Sequence, residues 1–145
     1  MEVGQDYVGV TIVFLCFDAQ GRLLLNKRST KCRDEHGRWD CGGGALEFGV
    51  RVEDQLRKEI KEEYCANVLS FEFLGYRELH RMLLGKPTHW ISLDYRVLVD
   101  EKQVRNGEPK KFDEIGWFNV DNLPDPLHSQ FPIIQKKYPH IFQKS

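Results

Sequence analysis

The stretch GGGALEFGVRVEDQLRKEIKEEYCA, residues 42–66, sets three consecutive glycines ahead of three glutamates on an amphipathic pattern. Val52, Leu56 and Ile60 recur at i, i+4 and i+8, which predicts a helix over Val50–Tyr64 with those residues as its buried stripe. At about 100° per residue, Glu63 falls about 20° from Leu56 and so inside the stripe. Glu59 lies about 60° away, at the margin, and Glu62 about 120° away. An ionised carboxylate within an apolar stripe is costly unless it is paired, protonated or bound to a metal. Like charges one turn apart also repel, by a few tenths of a kcal/mol. A divalent cation held by Glu59, Glu62 and Glu63 resolves both costs, and oxygen-only ligands favour Mg2+ or Mn2+ over zinc. The plain alternative is a solvated acidic face balanced by Lys58 and Lys61.

The glycines bear on that choice. Backbone that approaches a phosphate or a metal closely must lack side chains, and its carbonyls can add an oxygen ligand. Gly42-Gly43-Gly44 reads as such a loop, with an ordinary tight turn as the alternative. Upstream, Val8–Asp18 is rich in β-branched and aromatic residues and ends in the turn signal Asp18-Ala19-Gln20-Gly21, with Arg22–Arg28 as its hairpin partner. Ser29–Arg38 is polar and reads as a surface loop. Downstream, strands are expected at Phe71–Leu84 and His89–Val99, a loop at Asn106-Gly107 and Pro109, a short strand at Ile115–Asn119 and a last helix at Ser129–Lys137. Strands mixed with two helices in this order imply an α/β fold whose mixed sheet is covered on both faces.

Whole-chain properties narrow the function classes. The 145 residues suit a single domain, and 41% hydrophobic with 30% charged residues describes an ordinary globular chain. No apolar run reaches the roughly 18–20 residues a membrane helix requires. Glu2 and Asp6 near the start do not fit a basic-then-apolar leader, so a cytoplasmic protein is expected. Net charge is −1 with the cations dispersed, which argues against a nucleic-acid surface. Cys16, Cys32, Cys41 and Cys65 form no C-x-x-C pair, so reduced thiols are expected rather than structural zinc.

Trp39-Asp40-Cys41-Gly42-Gly43-Gly44-Ala45-Leu46-Glu47-Phe48-Gly49, followed by Lys58-Glu59-Ile60-Lys61-Glu62-Glu63, resembles the Nudix box, G-x5-E-x7-R-E-U-x-E-E-x-G-U. Set on Gly44–Ala66, the motif is matched at Gly44, Glu59, Ile60, Glu62 and Glu63. Lys58 stands for its arginine and Ala66 for its last aliphatic residue. Val50 replaces a glutamate, Cys65 a glycine, and Gly42 the proline that usually precedes the two glycines. The flanks agree: Leu23-Leu24-Leu25-Asn26-Lys27-Arg28 is similar to the family's second strand, and Glu114-Ile115-Gly116-Trp117-Phe118 with Leu123-Pro124 to its later segments.

The resemblance implies a Nudix-like α/β/α sandwich that hydrolyses a phosphoanhydride in a nucleotide-like small molecule. It implies Glu59 and Glu63 as principal ligands of Mg2+ or Mn2+, joined by Glu62, with the Gly43 carbonyl and Glu47 within reach. Gly43, Gly44 and Arg28 are expected at the substrate. Glu114 is the first candidate for a general base, ahead of Asp113 and Glu108, and Trp90, Tyr76 and Phe73 are candidates to stack on a base. Val50 and Lys58 have changed together, so no charge is orphaned, but lysine lacks arginine's bidentate fork and should orient the catalytic glutamate less firmly. Among substrates, a nucleoside triphosphate suits the compact length best. Nucleotide sugars stay open, as does coenzyme A, whose diphosphatase signature is matched in part. A non-catalytic nucleotide-binding regulator is one rival; an isopentenyl-diphosphate-isomerase-like enzyme using Cys41 is another. The sequence leaves the oligomeric state open, a homodimer included.

Overall fold

Alternation along β1 (Gly9–Phe17) decides the layering, because successive side chains of a strand leave opposite faces. A computed structural model describes residues 1–143. Ile12, Phe14 and Cys16 join one buried cluster, whereas Val13, Leu15 and Phe17 pack with another. In β2 (Leu23–Arg28), Leu24 belongs to the first cluster and Leu23 and Leu25 to the second. Two apolar faces require two covers. Leu56, Ile60 and Tyr64 of α1 (Val52–Tyr64) close the first. Phe131 and Ile134 of α2 (Phe131–Lys137) close the second, with Tyr138 and Ile141 just beyond. The expected α/β/α arrangement is the observed one.

β3 (Trp39–Asp40), β4 (Gly42–Ala45), β5 (Val68–Leu83), β6 (Lys86–Val99) and β7 (Phe112–Phe118) complete a seven-stranded sheet. β1 runs parallel to β6, and the other pairings between these strands are antiparallel, so the sheet is mixed. The expected β1–β2 hairpin survives at its turn alone. The strands meet at Phe17↔Leu23 and then splay, β1 taking β4 as neighbour while β2 takes β3 and β7. The chain changes sides at Cys41: Asp40 pairs with Asn26 of β2, and Gly42 pairs with Phe14 of β1. The glycine run expected as a loop is therefore a strand. Its bare backbone fits because a Cβ on Gly42 would stand 2.1 Å from Cε2 of Phe14.

Other boundaries move by a few residues, each for a local reason. Arg51 keeps an extended backbone, so α1 starts at Val52 rather than Val50. α2 starts at Phe131 instead of Ser129, with Pro132 in the first turn, where no amide hydrogen is needed. β5 and β6 run to a two-residue turn, Leu84-Gly85, closer than the sequence suggested. β7 reaches back to Phe112 because β2 pairs with it as far as Arg28. Among the described residues, no helix is long and apolar enough to cross a membrane.

Helix α1 ends on Cys65, whose φ of 60° is left-handed and whose N–H closes on the Lys61 carbonyl. Cys65 stands where the resembled motif has glycine, and a residue with a Cβ pays roughly 1–2 kcal/mol for that conformation. Cys65→Gly should therefore stabilise the protein by about 0.5–1 kcal/mol after the added freedom of the unfolded chain is subtracted. Urea denaturation of the two proteins measures the difference.

Candidate active site

The divergence of β1 from β2 opens a cleft of about 700 Å³, and α1 lies along one lip. Glu63 is 7% exposed, and the neighbouring Gly43 backbone N–H favours its charged form. Burial first, and then the charge of Glu59, push its carboxyl well above the ordinary glutamate range. Glu59 is half-buried; burial raises its pKa and the Glu62 charge adds to that, against a hydrogen bond from Gln55. Gln55, fully buried, sets the geometry: its Nε2 donates to Glu59 Oε1 at 2.9 Å, and its Oε1 accepts from the Glu47 N–H at 3.1 Å. Gly44 makes room for the same carboxylate, since a Cβ there would lie 2.3 Å from Glu59 Cδ. Glu62 is exposed at the lip.

Glu59, Glu62, Glu63, Gly43, Gly44 and Arg28 all line the cleft. Arg28 is partly engaged there, with Nη2 3.0 Å from Asp34 Oδ1. The polar loop after β2 contributes Lys31 and Arg33, and Lys111 joins them, so acidic and basic residues share the cleft. The donor set fits a hard divalent ion: three carboxylates and an exposed glycine backbone, with one carboxylate buried at a repulsive electrostatic cost.

Glu47, Lys58 and Glu114 are not among the lining residues. Lys58 Nζ lies 2.7 Å from Glu47 Oε2, and this ion pair lowers the pKa of Glu47 and raises that of Lys58. The lysine's partner has thus moved three places upstream from Val50, and Glu47 is turned to an ammonium instead of the cleft. Glu114 is exposed on β7 opposite Lys27, and Asp113 is also outside the lining, whereas Glu108 is inside it. Of the three aromatic candidates, Trp90 lines the cleft, while Phe73 and Tyr76 are exposed elsewhere.

Glu108, the third of the candidate bases, lies on a loop anchored to α1. Arg105 N–H donates to the Tyr64 carbonyl and Gly107 N–H to the Glu63 carbonyl, both at 2.9 Å, so the loop satisfies the last carbonyls of α1. Gly107 is required by this approach, since a Cβ would meet the Glu62 carbonyl oxygen at 2.1 Å. The Asn106 side chain accepts from the Glu108 N–H at 3.0 Å and completes the turn. At the opposite end, partly buried Asp40 lies 4.0 Å from His128 Nε2, and His128 Nδ1 accepts from the Gln130 N–H at 3.0 Å. Burial raises the Asp40 carboxyl despite that histidine and Arg28. Asp40 stood within the quoted motif, but no spacing signal pointed to His128. Cys41 is also buried, and burial together with Asp40 holds its thiol well above the usual range. Little thiolate forms at neutral pH, which disfavours Cys41 as a nucleophile or general base.

The NUDIX domain family is matched over residues 7–139, and the chain belongs to that family. The MutT NUDIX hydrolase of Burkholderia pseudomallei superposes with a TM-score of 0.76 at 26% identity, covering 91% of this chain and 98% of that one. The oxidized purine nucleoside triphosphate hydrolase of Danio rerio is 27% identical over 114 residues, 72% of this chain and 62% of its own length. The nucleoside triphosphatase NudI of Escherichia fergusonii is 34% identical over 84 residues, 58% of this chain and 50% of its own. The chain thus spans between 50% and 62% of the length of these two curated relatives.

Folding raises the proton affinity of Glu63 and Glu59 above that of the unfolded chain. The metal-free protein should therefore lose stability as pH rises from the ordinary glutamate value of 4.5 through the higher folded-state values. Glu63→Gln should flatten that slope and raise the metal-free Tm at neutral pH. Thermal unfolding in chelator across pH 5–8 measures both effects, and saturating Mg2+ should abolish the difference in slope.

Proposed function

We propose that the chain is a divalent-metal-dependent pyrophosphohydrolase acting on a nucleoside triphosphate, with Mg2+ or Mn2+ as cofactor. The observation that carries this reading is that the carboxylates Glu59, Glu62 and Glu63 and the cations Arg28, Arg33 and Lys111 line one cleft. A polyphosphate is the ligand class that uses both kinds of group, metal on the carboxylates and ion pairs with the cations. The two curated relatives are named as nucleoside triphosphate hydrolases, which supports that class over sugar- or coenzyme-linked diphosphates.

Glu59, Glu62 and Glu63 would hold a divalent ion, with the Gly43 carbonyl as a further oxygen donor, and the ion would supply charge neutralisation for the pyrophosphate and a more acidic attacking water. Gln55 keeps Glu59 in orientation, and Lys58 acts on the helix from outside through Glu47. Glu108 takes the place first given to Glu114: its backbone is fixed beside the end of α1 and it enters the cleft, as a general base must. Arg28, Arg33 and Lys111 bind phosphate oxygens, and Trp90 offers an apolar surface to the base.

Phosphate or pyrophosphate release from a nucleotide panel with Mg2+ or Mn2+ tests the reading. Turnover of at least one triphosphate, reduced about 10²-fold or more in Glu59→Gln and Glu63→Gln, is expected. Tight nucleotide binding without turnover by the wild-type protein overturns it in favour of a regulator. Glu108→Gln should lower kcat by about 10²-fold while changing KM little. An unchanged kcat would return the role to another residue.

A further inference from the structure

Among the described residues, one group of three metal-ligating side chains has its ligand atoms all within 4.8 Å of one another, and it is not the glutamate lip. It is Glu78, His80 and His89. Glu78 and His80 are two apart on β5, and His89 is the register partner of His80 on β6, so all three leave the same face of the hairpin. Both imidazoles aim Nε2 at the same carboxylate oxygen: Glu78 Oε1 is 3.4 Å from His89 Nε2 and 3.6 Å from His80 Nε2. The rings stack with centroids 4.1 Å apart. His89 Nε2 is buried and makes no hydrogen bond, which leaves a polar ring atom without a partner.

The spacing has a physical meaning. A tetrahedral ion with ligands at about 2.1 Å sets neighbouring ligand atoms roughly 3.4 Å apart, close to the two N···O separations here. Two imidazoles and one carboxylate suit Zn2+, Co2+, Ni2+ or Cu2+ and are poorly matched to Mg2+. The location gives the ion something to do. Pairing of β6 with β1 begins at Trp90, so Lys86–His89 has β5 as its strand neighbour, with the His89 N–H donating to the Gly4 carbonyl at 2.7 Å and Arg81 paired to Glu35 at 3.1 Å. Beyond those contacts a two-stranded ribbon is marginal, and an ion on its outer face would fasten it further. Its opposite face, through Leu79, Arg81 and Thr88, lines the cleft.

We propose that Glu78, His80 and His89 form a second metal site, for a borderline transition ion of the Zn2+ class, that staples the β5–β6 ribbon behind the cleft. A water completes the tetrahedron. The site is separate from the Nudix carboxylates and does not depend on the hydrolytic reading.

Zinc calorimetry and Co2+ absorption on the full chain, in saturating Mg2+, test it, with His80→Ala, His89→Ala and Glu78→Gln compared with wild type. The wild-type protein should take up one more equivalent of Zn2+ than each variant. Its Co2+ form should show the intense visible bands of tetrahedral coordination, absent from the variants. Zn2+ should raise the wild-type Tm by several degrees and leave the variants unmoved. Equal Zn2+ uptake by wild type and His80→Ala, or a Co2+ spectrum without tetrahedral bands, overturns the proposal. Should His89→Ala fail to fold, His80→Ala decides alone, because that side chain is 64% exposed and its removal leaves the core intact.

Discussion

Glu63 occupies the apolar stripe of α1, and the electrostatic cost of putting a carboxylate there organises what surrounds it. Leu56, Ile60 and Tyr64 bury the same helix face and hold the glutamate where solvent cannot relieve it. The Gly43 N–H supplies part of the compensation. That contact requires a strand of bare backbone beside the helix, which the glycine run provides. Gly44 then leaves space for the second carboxylate, and Gln55 fixes its direction. An apolar residue at position 63 would pack more cheaply. Retaining the charge makes sense where a cation completes the arrangement.

The cleft itself follows from how the strands part. β1 and β2 share one residue pair and then recruit different neighbours, so a gap must open between them. The passage at Cys41 brings chemistry to that gap from both sides. Asp40 and Asn26 come with β2, and Gly43 and Gly44 come with β1. Asn26 ties the sides together, donating from Nδ2 to the Tyr64 hydroxyl at 2.8 Å and to the Cys41 carbonyl at 3.4 Å. The site is therefore built on regular elements, with the loops at Lys31–Arg33 and Asn106–Glu108 closing over it.

How much of this was legible depended on whether the controlling interaction was local. The helical period placed Glu63 inside, Glu59 at the margin and Glu62 outside, and the burial of the three follows that order. Such reasoning needs nothing beyond one helix. The glycine run reads from the sequence as a loop open to a phosphate or metal, and it is instead a strand pressed against Phe14 and Glu59, because pairing with β1 is a property of two distant segments. Lys58 found Glu47 through the path of the chain between them, which no wheel contains. Glu114 was preferred to Glu108 for the same reason. Ranking them needed the register of β7 on β2 and the docking of Gly107 on α1. The pairing of His80 with His89 likewise depends on a turn at Leu84-Gly85, four residues from where the sequence suggested the second strand begins.

The docking of Gly107 on the end of α1 also limits how freely the next residues can vary. Glu108–Lys111 runs from that anchorage to the buried Phe112, and on the way the Lys110 and Lys111 carbonyls accept hydrogen bonds from Ser29. Glu108 and Lys111 both line the cleft, so residues inserted between them would shift two cleft side chains relative to the glutamates of α1. Variation in this short stretch is therefore coupled to the composition of the cleft.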